Sequence, residues 1–282
     1  MSDLRTAEAP IRATPAPEHT SDGTGTGPAQ PRGASLTRRV LARLAVVAVV
    51  LALWWLATNV IFADNAVVSR MGPWAAISEL IRSLGDIATL NAITVSLGRL
   101  LAGLALSIVV AVPLGLLLGS NALLDYASAP VVQFLRMTSP LAWAPLVIVL
   151  LGSGTPAVIA LVALATTWPV VLGTASGRRA IDPGMLDMVH SLGATRWEGI
   201  RTVVLPGLVS HLRTAVRVAL GVGWVVLVPA EMFGVTNGLG YAILNARDNL
   251  DYEALAATML LIGVVGFLLD SILRAVGADD EA

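Results

Sequence analysis

Apolar residues fill six long blocks of the chain, and the polar positions between them are short and clustered. A helix needs about 20 predominantly apolar residues to cross a bilayer. The blocks at residues 40–62, 92–119, 123–152, 156–176, 207–230 and 254–276 are each long enough. The third is interrupted at Ser139-Pro140, where proline removes a backbone donor and predicts a broken span. Between the first two blocks, Trp74, Ile77, Leu80, Ile81 and Leu84 recur at helical spacing, with Glu79, Arg82 and Asp86 elsewhere. This predicts an amphipathic helix over residues 72–85, lying on the outer membrane surface or packed against the bundle. Residues 1–36 are rich in Pro, Gly, Thr, Ala and Ser and cannot bury enough apolar surface to fold, so a disordered tail is expected. Arg38-Arg39 precedes an apolar run too long for a signal peptide and without a convincing small-residue cleavage site, which predicts an uncleaved first span.

The pattern changes once more at residues 182–206, a polar stretch between the fourth and fifth blocks. Asp182-Pro183 is a helix-start signal, a capping carboxylate followed by proline at the first helical position. A short helix over 183–191 follows, and Gly193 permits a left-handed or otherwise tight turn. Thr195 and Glu198 have capping-box spacing for a second short helix to about Val203, with Pro206 marking entry to the fifth span. The expected result is a right-angled elbow whose Met185, Met188, Leu192, Trp197 and Ile200 form an apolar face. That face can lie in a groove of a partner protein, or rest on lipid headgroups as an ordinary connector.

Composition agrees with the pattern: 56% hydrophobic and 13% charged residues, against about 25% charged in soluble domains. The net charge of −1 implies no nucleic-acid partner. Cysteine is absent, and all 18 basic residues are arginine. Without lysine the chain cannot supply a P-loop to hold nucleotide phosphates or form a Schiff base. If ATP drives this protein, another subunit binds it. Arginine placement sets the orientation: with the N-terminus inside, Arg5, Arg12, Arg32, Arg38, Arg39, Arg43, Arg178, Arg179, Arg196, Arg201, Arg213, Arg217 and Arg274 fall on the cytoplasmic side, and Arg70, Arg82 and Arg247 outside. Both termini and the elbow are then cytoplasmic. The reading is all-α and polytopic, with a tail (1–36), a first span and outer helix (37–91), a core (92–276) carrying the loop 182–206, and a short acidic tail (277–282).

Asp187-Met188-Val189, three residues, Gly193, nine residues, Val203, one residue, Leu205-Pro206 resembles the EAA loop of bacterial ABC importer permeases, with Asp187 in place of glutamate and Met188 and Val189 in place of the alanines. The stretches SLGRLLAG, LRMTSPLAWAPLVIVLLGSGTPAVI, ATTWPVVLGTASGRRAI, AEMFGVTNGLGYAILNARDNLDYEA and IGVVGFLLDSIL resemble the sulfonate, nitrate and taurine branch. The resemblance implies a type I ABC importer permease fold and a coupling helix that docks on a cytoplasmic ATP-binding subunit. It also implies an extracytoplasmic solute-binding protein and a second permease copy in a homodimer. On the motif, Asp187, Gly193, Ala194, Trp197, Val203, Leu205 and Pro206 are the expected ATPase-coupling positions.

Ionisable groups within spans are functional candidates. Arg136 lies near mid-membrane just before the Ser139-Pro140 break, where it can attract an anion or form an ion pair with Glu231 or Asp125. Glu231 can gate a substrate route, or pair with Arg99 or Arg136; Arg99 itself can snorkel or pair. Arg136, Ser139 and Glu231 are therefore the expected substrate path. The glycines of Asn237-Gly238-Leu239-Gly240-Tyr241 are expected to serve a turn. Asp248, Asp251 and Glu253 form an outer acidic group that is either simply solvated or in contact with a binding protein. His190 and His211 lack metal-site spacing, no nucleophile-base-acid set is visible, and no cofactor is expected. The competing function is a self-sufficient secondary transporter or channel, for which only Arg136 has the right depth and no inverted repeat is visible.

Overall fold

The computed structural model describes residues 36–278 except Ala66. The expected disordered tail apart from Leu36, and residues 279–282 of the acidic tail, lie outside the described residues. The described chain divides between residues 49 and 50 into two units.

All described elements are helical. α1 spans Leu36–Leu56 and continues as a π-turn over Ala57–Ile61. α2 (Pro73–Ser83) packs on the last helix, α11 (Tyr252–Ala278), burying Pro73 and Ala76 and exposing Trp74 and Ile81. The amphipathic helix thus takes the bundle-packed alternative. Among the described residues five helices are long and apolar enough to cross a membrane. α4 (Ala122–Met137) and the stretch Pro140–Leu151, which ends in α5 (Ala144–Leu151), together are apolar enough for a sixth, broken span, bent by 83°. The bend follows from proline: residue 140 cannot donate to the helix before it, and its ring forces the preceding Ser139 out of helical dihedrals, to φ −59°, ψ 128°.

The core lies where α3 (Ile87–Ser120), α6 (Thr155–Ala180) and α9 (Leu205–Met232) meet, around Leu100, Val158, Leu161, Val162, Ala219 and Leu227. Lipid gives helices no hydrophobic reason to associate, so close approach through small residues takes over. A Cβ on Gly115 of α3 would lie 2.6 Å from the Val171 carbonyl oxygen of α6, and one on Gly173 of α6 would lie 2.3 Å from Ala215 Cβ on α9.

One expectation needs correction. The second helix of the elbow is not separate from the fifth span. α8 (Arg196–Gly199) passes through a π-turn at Ile200–Val204 into α9, giving an unbroken helix Arg196–Met232 of 37 residues, about 55 Å long at the α-helical rise. Pro206 would clash with the Thr202 carbonyl in a regular helix. The π-turn widens the ladder at that point, with the Leu205 amide donating to the Ile200 carbonyl, so the helix absorbs the proline without breaking.

Candidate functional site

Three places gather the expected residues. The first is the elbow. Asp182 caps α7 (Pro183–Ser191) by accepting from the Gly184 amide at 2.9 Å. The helix ends in a Schellman turn: the Ala194 amide donates to the Val189 carbonyl at 3.2 Å, the Gly193 amide to the His190 carbonyl at 3.0 Å, and Gly193 sits at φ +88°. Thr195 then starts α8 with a complete capping box, its amide 2.7 Å from Glu198 Oε2 and its hydroxyl accepting from the Glu198 amide at 3.3 Å. The Thr195 amide first, and its hydroxyl second, hold the Glu198 carboxyl below the usual carboxylate range.

The elbow is anchored by a small cluster of Ile181, Val204 and Leu208, against which Leu186, Ile200 and Val203 pack. Ile200 is therefore turned inward, away from the expected docking face, as is the motif position Val203. Met185, Met188, Leu192 and Trp197 remain exposed, Trp197 at 68%. Asp187, Leu205 and Pro206 are exposed and Ala194 is half-buried. The motif thus divides into outward positions and an inward anchor.

The second place is the break in the bent span. A cavity of about 550 Å³ is lined by Arg136, Thr138, Pro140, Trp143, Trp168 and Val222 among others. Arg136 has no ion pair among the described residues. Both carboxylates offered to it are committed elsewhere, Glu231 to Arg99 and Asp125 to Arg179 at 2.5 Å. Ser139 lies at the bend, but its neighbours Thr138 and Pro140 line the cavity instead. Thr138, Trp143 and Trp168 were not expected here; the Trp-Pro pairings beside two helix irregularities are the signal that could have marked them.

The third place is a buried polar clasp. Glu231 is 0% and Arg99 3% exposed, paired at 2.8 Å. The Ser96 hydroxyl lies 2.8–2.9 Å from both Glu231 oxygens, and the Gly240 amide donates to Oε2 at 2.9 Å. Arg99 also donates to the Asn237 carbonyl at 2.9 Å, to the Asn237 side chain, and to Thr155 Oγ1 at 3.0 Å. Ser96 accepts from the Leu239 amide at 2.9 Å. Gly238, at φ +104°, lies so close that a Cβ there would be 2.5 Å from Glu231 Oε1. Gly238 serves the turn, as expected; Gly240 instead lies in α10 (Leu239–Asp248), where a Cβ would be 2.3 Å from the Val228 carbonyl oxygen, and its lack of one lets its amide reach the carboxylate. Glu231 lines none of the cavities described above: its oxygens are taken by Arg99, Ser96 and Gly240. Ser96, Thr155 and Asn237 carry no chemistry on their own in sequence, so their part in the clasp was not foreseen.

Residues 111–279 match the protein family described as "Binding-protein-dependent transport system inner membrane component". The taurine transport system permease protein TauC of Escherichia coli is 28% identical over 245 residues, covering 85% of this chain and 88% of that one. The bicarbonate transport system permease protein CmpB of Synechocystis is 32% identical over 177 residues, 62% of this chain and 63% of that one. A probable ABC transporter permease of Brucella melitensis is 32% identical over 222 residues, 79% of this chain and 88% of that one. Among solved structures, an inward-facing MetNI methionine ABC transporter matches with a TM-score of 0.56 at 20% identity, over 66% of this chain and 95% of that one.

Proposed function

The chain belongs to the family of binding-protein-dependent transport system inner membrane components, and from that premise we propose that it forms one half of a homodimeric path for a small anion. Its place is the inner membrane, and it is a transport subunit, not an enzyme. An ATP-binding subunit and a solute-binding protein are its partners. The self-sufficient carrier reading loses its basis, because the energy source is a separate subunit.

The proposed orientation follows the arginines, with both termini and the elbow cytoplasmic. Asp187, Gly193 and Trp197 then meet the ATP-binding subunit, and Val203, Leu205 and Pro206 pass its motion into the long helix. ATP acts through its different affinity for two states of the complex, which differ in the side to which the path opens.

One observation carries the substrate reading: Arg136 meets a cavity of about 550 Å³ at a break in a span, with no carboxylate to neutralise it. Non-helical backbone at membrane depth is tolerated only against protein or a water-filled space, and a guanidinium there recognises a planar or tetrahedral oxyanion. Taurine and bicarbonate, named for two relatives, each carry such a group. The test is uptake into proteoliposomes holding the permease, its ATP-binding subunit and its binding protein. Arg136→Gln is expected to lower anion uptake at least tenfold while the amount of assembled complex stays at the wild-type level. Parallel loss of complex and uptake would make Arg136 a structural residue.

A further inference from the structure

A separate cavity of about 480 Å³ opens between the inner end of α3 and the elbow. Its apolar wall is Pro113, Leu116 and Leu117 of α3, and its polar rim is Arg178, His190 and Arg196. Neither arginine has an ion pair among the described residues. The carboxylates around them are engaged elsewhere: Asp125 with Arg179, Asp182 and Glu198 with the amides they cap. Asp187 does not line the cavity.

Arg178 is held by its stem. A Cβ on Gly119 would lie 2.7 Å from Arg178 Cβ, so α3 and α6 touch there and the base of the side chain has no room to move. Arg178 also lines a neighbouring cavity of about 670 Å³. Pro113 and Leu117 are themselves exposed, so the apolar wall is continuous with the lipid-facing side of α3. The site is thus amphipathic in one direction, from hydrocarbon-facing leucine to unpaired arginine.

We propose that this cavity binds the phosphate headgroup of an anionic phospholipid in the cytoplasmic leaflet, with an acyl chain along Pro113 and Leu117. Arginines on the cytoplasmic side between transmembrane helices take such headgroups, and the guanidinium fork matches a phosphate diester. An ATPase surface would fill the polar rim but leave the apolar wall without a partner; a lipid satisfies both. The bound lipid bridges α3 and α6 to Arg196, the first residue of the helix that carries the elbow. The leaflet assignment rests on the proposed orientation; the binding itself does not.

The test uses the purified transporter complex in phosphatidylcholine nanodiscs doped with phosphatidylglycerol, with bound lipid counted by native mass spectrometry. Arg178→Gln is expected to weaken phosphatidylglycerol retention roughly fivefold, and adding Arg196→Gln to weaken it further by a similar factor. Arg201→Gln, an exposed charge on the same elbow that does not line the cavity, is expected to leave retention unchanged. Equal retention by the double variant and wild type would overturn the proposal, as would equal loss in the Arg201 variant. Displacement of the lipid by millimolar glycerol phosphate would reassign the site to a soluble phosphoester. Lipid counting needs neither ATP nor solute, so failed uptake in the same preparation would count against the proposed function and leave this result standing.

Discussion

At its C-terminal end the helix Arg196–Met232 delivers Glu231 into a site where every polar partner is supplied by the chain itself. At its other end it delivers Trp197 into the open, over an anchor of a few aliphatic side chains. The contrast has a physical reading. A carboxylate buried in a membrane protein is costly unless it is paired and hydrogen-bonded, so this end must be complete within one chain. An exposed tryptophan beside exposed methionines on a capped, glycine-turned elbow is incomplete within one chain, and on the proposed function the ATP-binding subunit completes it. One continuous helix joins the closed end to the open one, so a displacement of the elbow reaches Glu231 along a single helix, and from there the Gly240 amide that donates to it.

The largest expected effect breaks the closed end. Glu231→Gln leaves Arg99 buried without its counter-charge, which for buried pairs costs about 3–5 kcal/mol. The detergent-solubilised complex should show a marked fall in Tm. Replacing both partners, Arg99→Met with Glu231→Met, should recover much of that loss, because no unpaired charge remains. Wild-type Tm in Glu231→Gln would mean the clasp does not hold that end of the helix.

The open end should respond in the opposite way. Trp197→Ala removes no internal packing partner of consequence, so Tm should stay close to wild type. Loss of a central interface aromatic typically costs about 2 kcal/mol or more in binding, which is roughly a 30-fold weaker association with the ATP-binding subunit. Titrating that subunit against the permease in nanodiscs measures both quantities on one sample. A large Tm loss with unchanged association would place Trp197 in the fold and dissolve the contrast.

Gly193→Val tests whether the shape of the elbow matters apart from its contacts. Nothing lies within 4 Å of a Cβ at Gly193, so no steric clash is expected. A side chain at φ +88° carries an intrinsic penalty of about 1–2 kcal/mol, and the Schellman turn should reopen. Insertion should be intact and ATP hydrolysis should continue, with fewer solute molecules moved per ATP. Unchanged coupling in proteoliposomes would show that the turn only connects.

The parts of this molecule that sequence made legible are those set by one-dimensional signals. Apolar length placed the spans, Pro140 placed the bend, and Asp182, Gly193, Thr195 and Glu198 placed the elbow's caps and turn. Pairing in space was harder to read. Arg99, Arg136, Glu231 and Asp125 offered several ion pairs with no periodicity to rank them, and Ser96, Thr155 and Asn237 join the clasp only because α3, α6 and the 237–240 loop converge. The elbow's continuity with the fifth span was missed because Pro206 signals a helix start, and a π-turn that absorbs a proline leaves no mark of its own.

The smallest effect sharpens the comparison most cheaply. Thr195→Ala removes the capping hydroxyl of α8, worth about 1 kcal/mol at helix N-termini, and should loosen the elbow while leaving the clasp untouched. The same cap predicts a pH dependence. Glu198 is held below its ordinary range by the Thr195 amide and hydroxyl, so its stabilisation is present above the ordinary carboxylate pKa and is lost as pH falls through the lowered one. Hydrogen exchange at the amides of residues 195–199 should therefore quicken on acidification in wild type, after correction for the intrinsic chemical rate. In Glu198→Gln it should be faster at neutral pH and nearly insensitive to acid. The amide of Leu239, which donates to the buried Ser96 hydroxyl, should show neither change. Equal acid sensitivity at both ends would mean that they do not differ in how they are held.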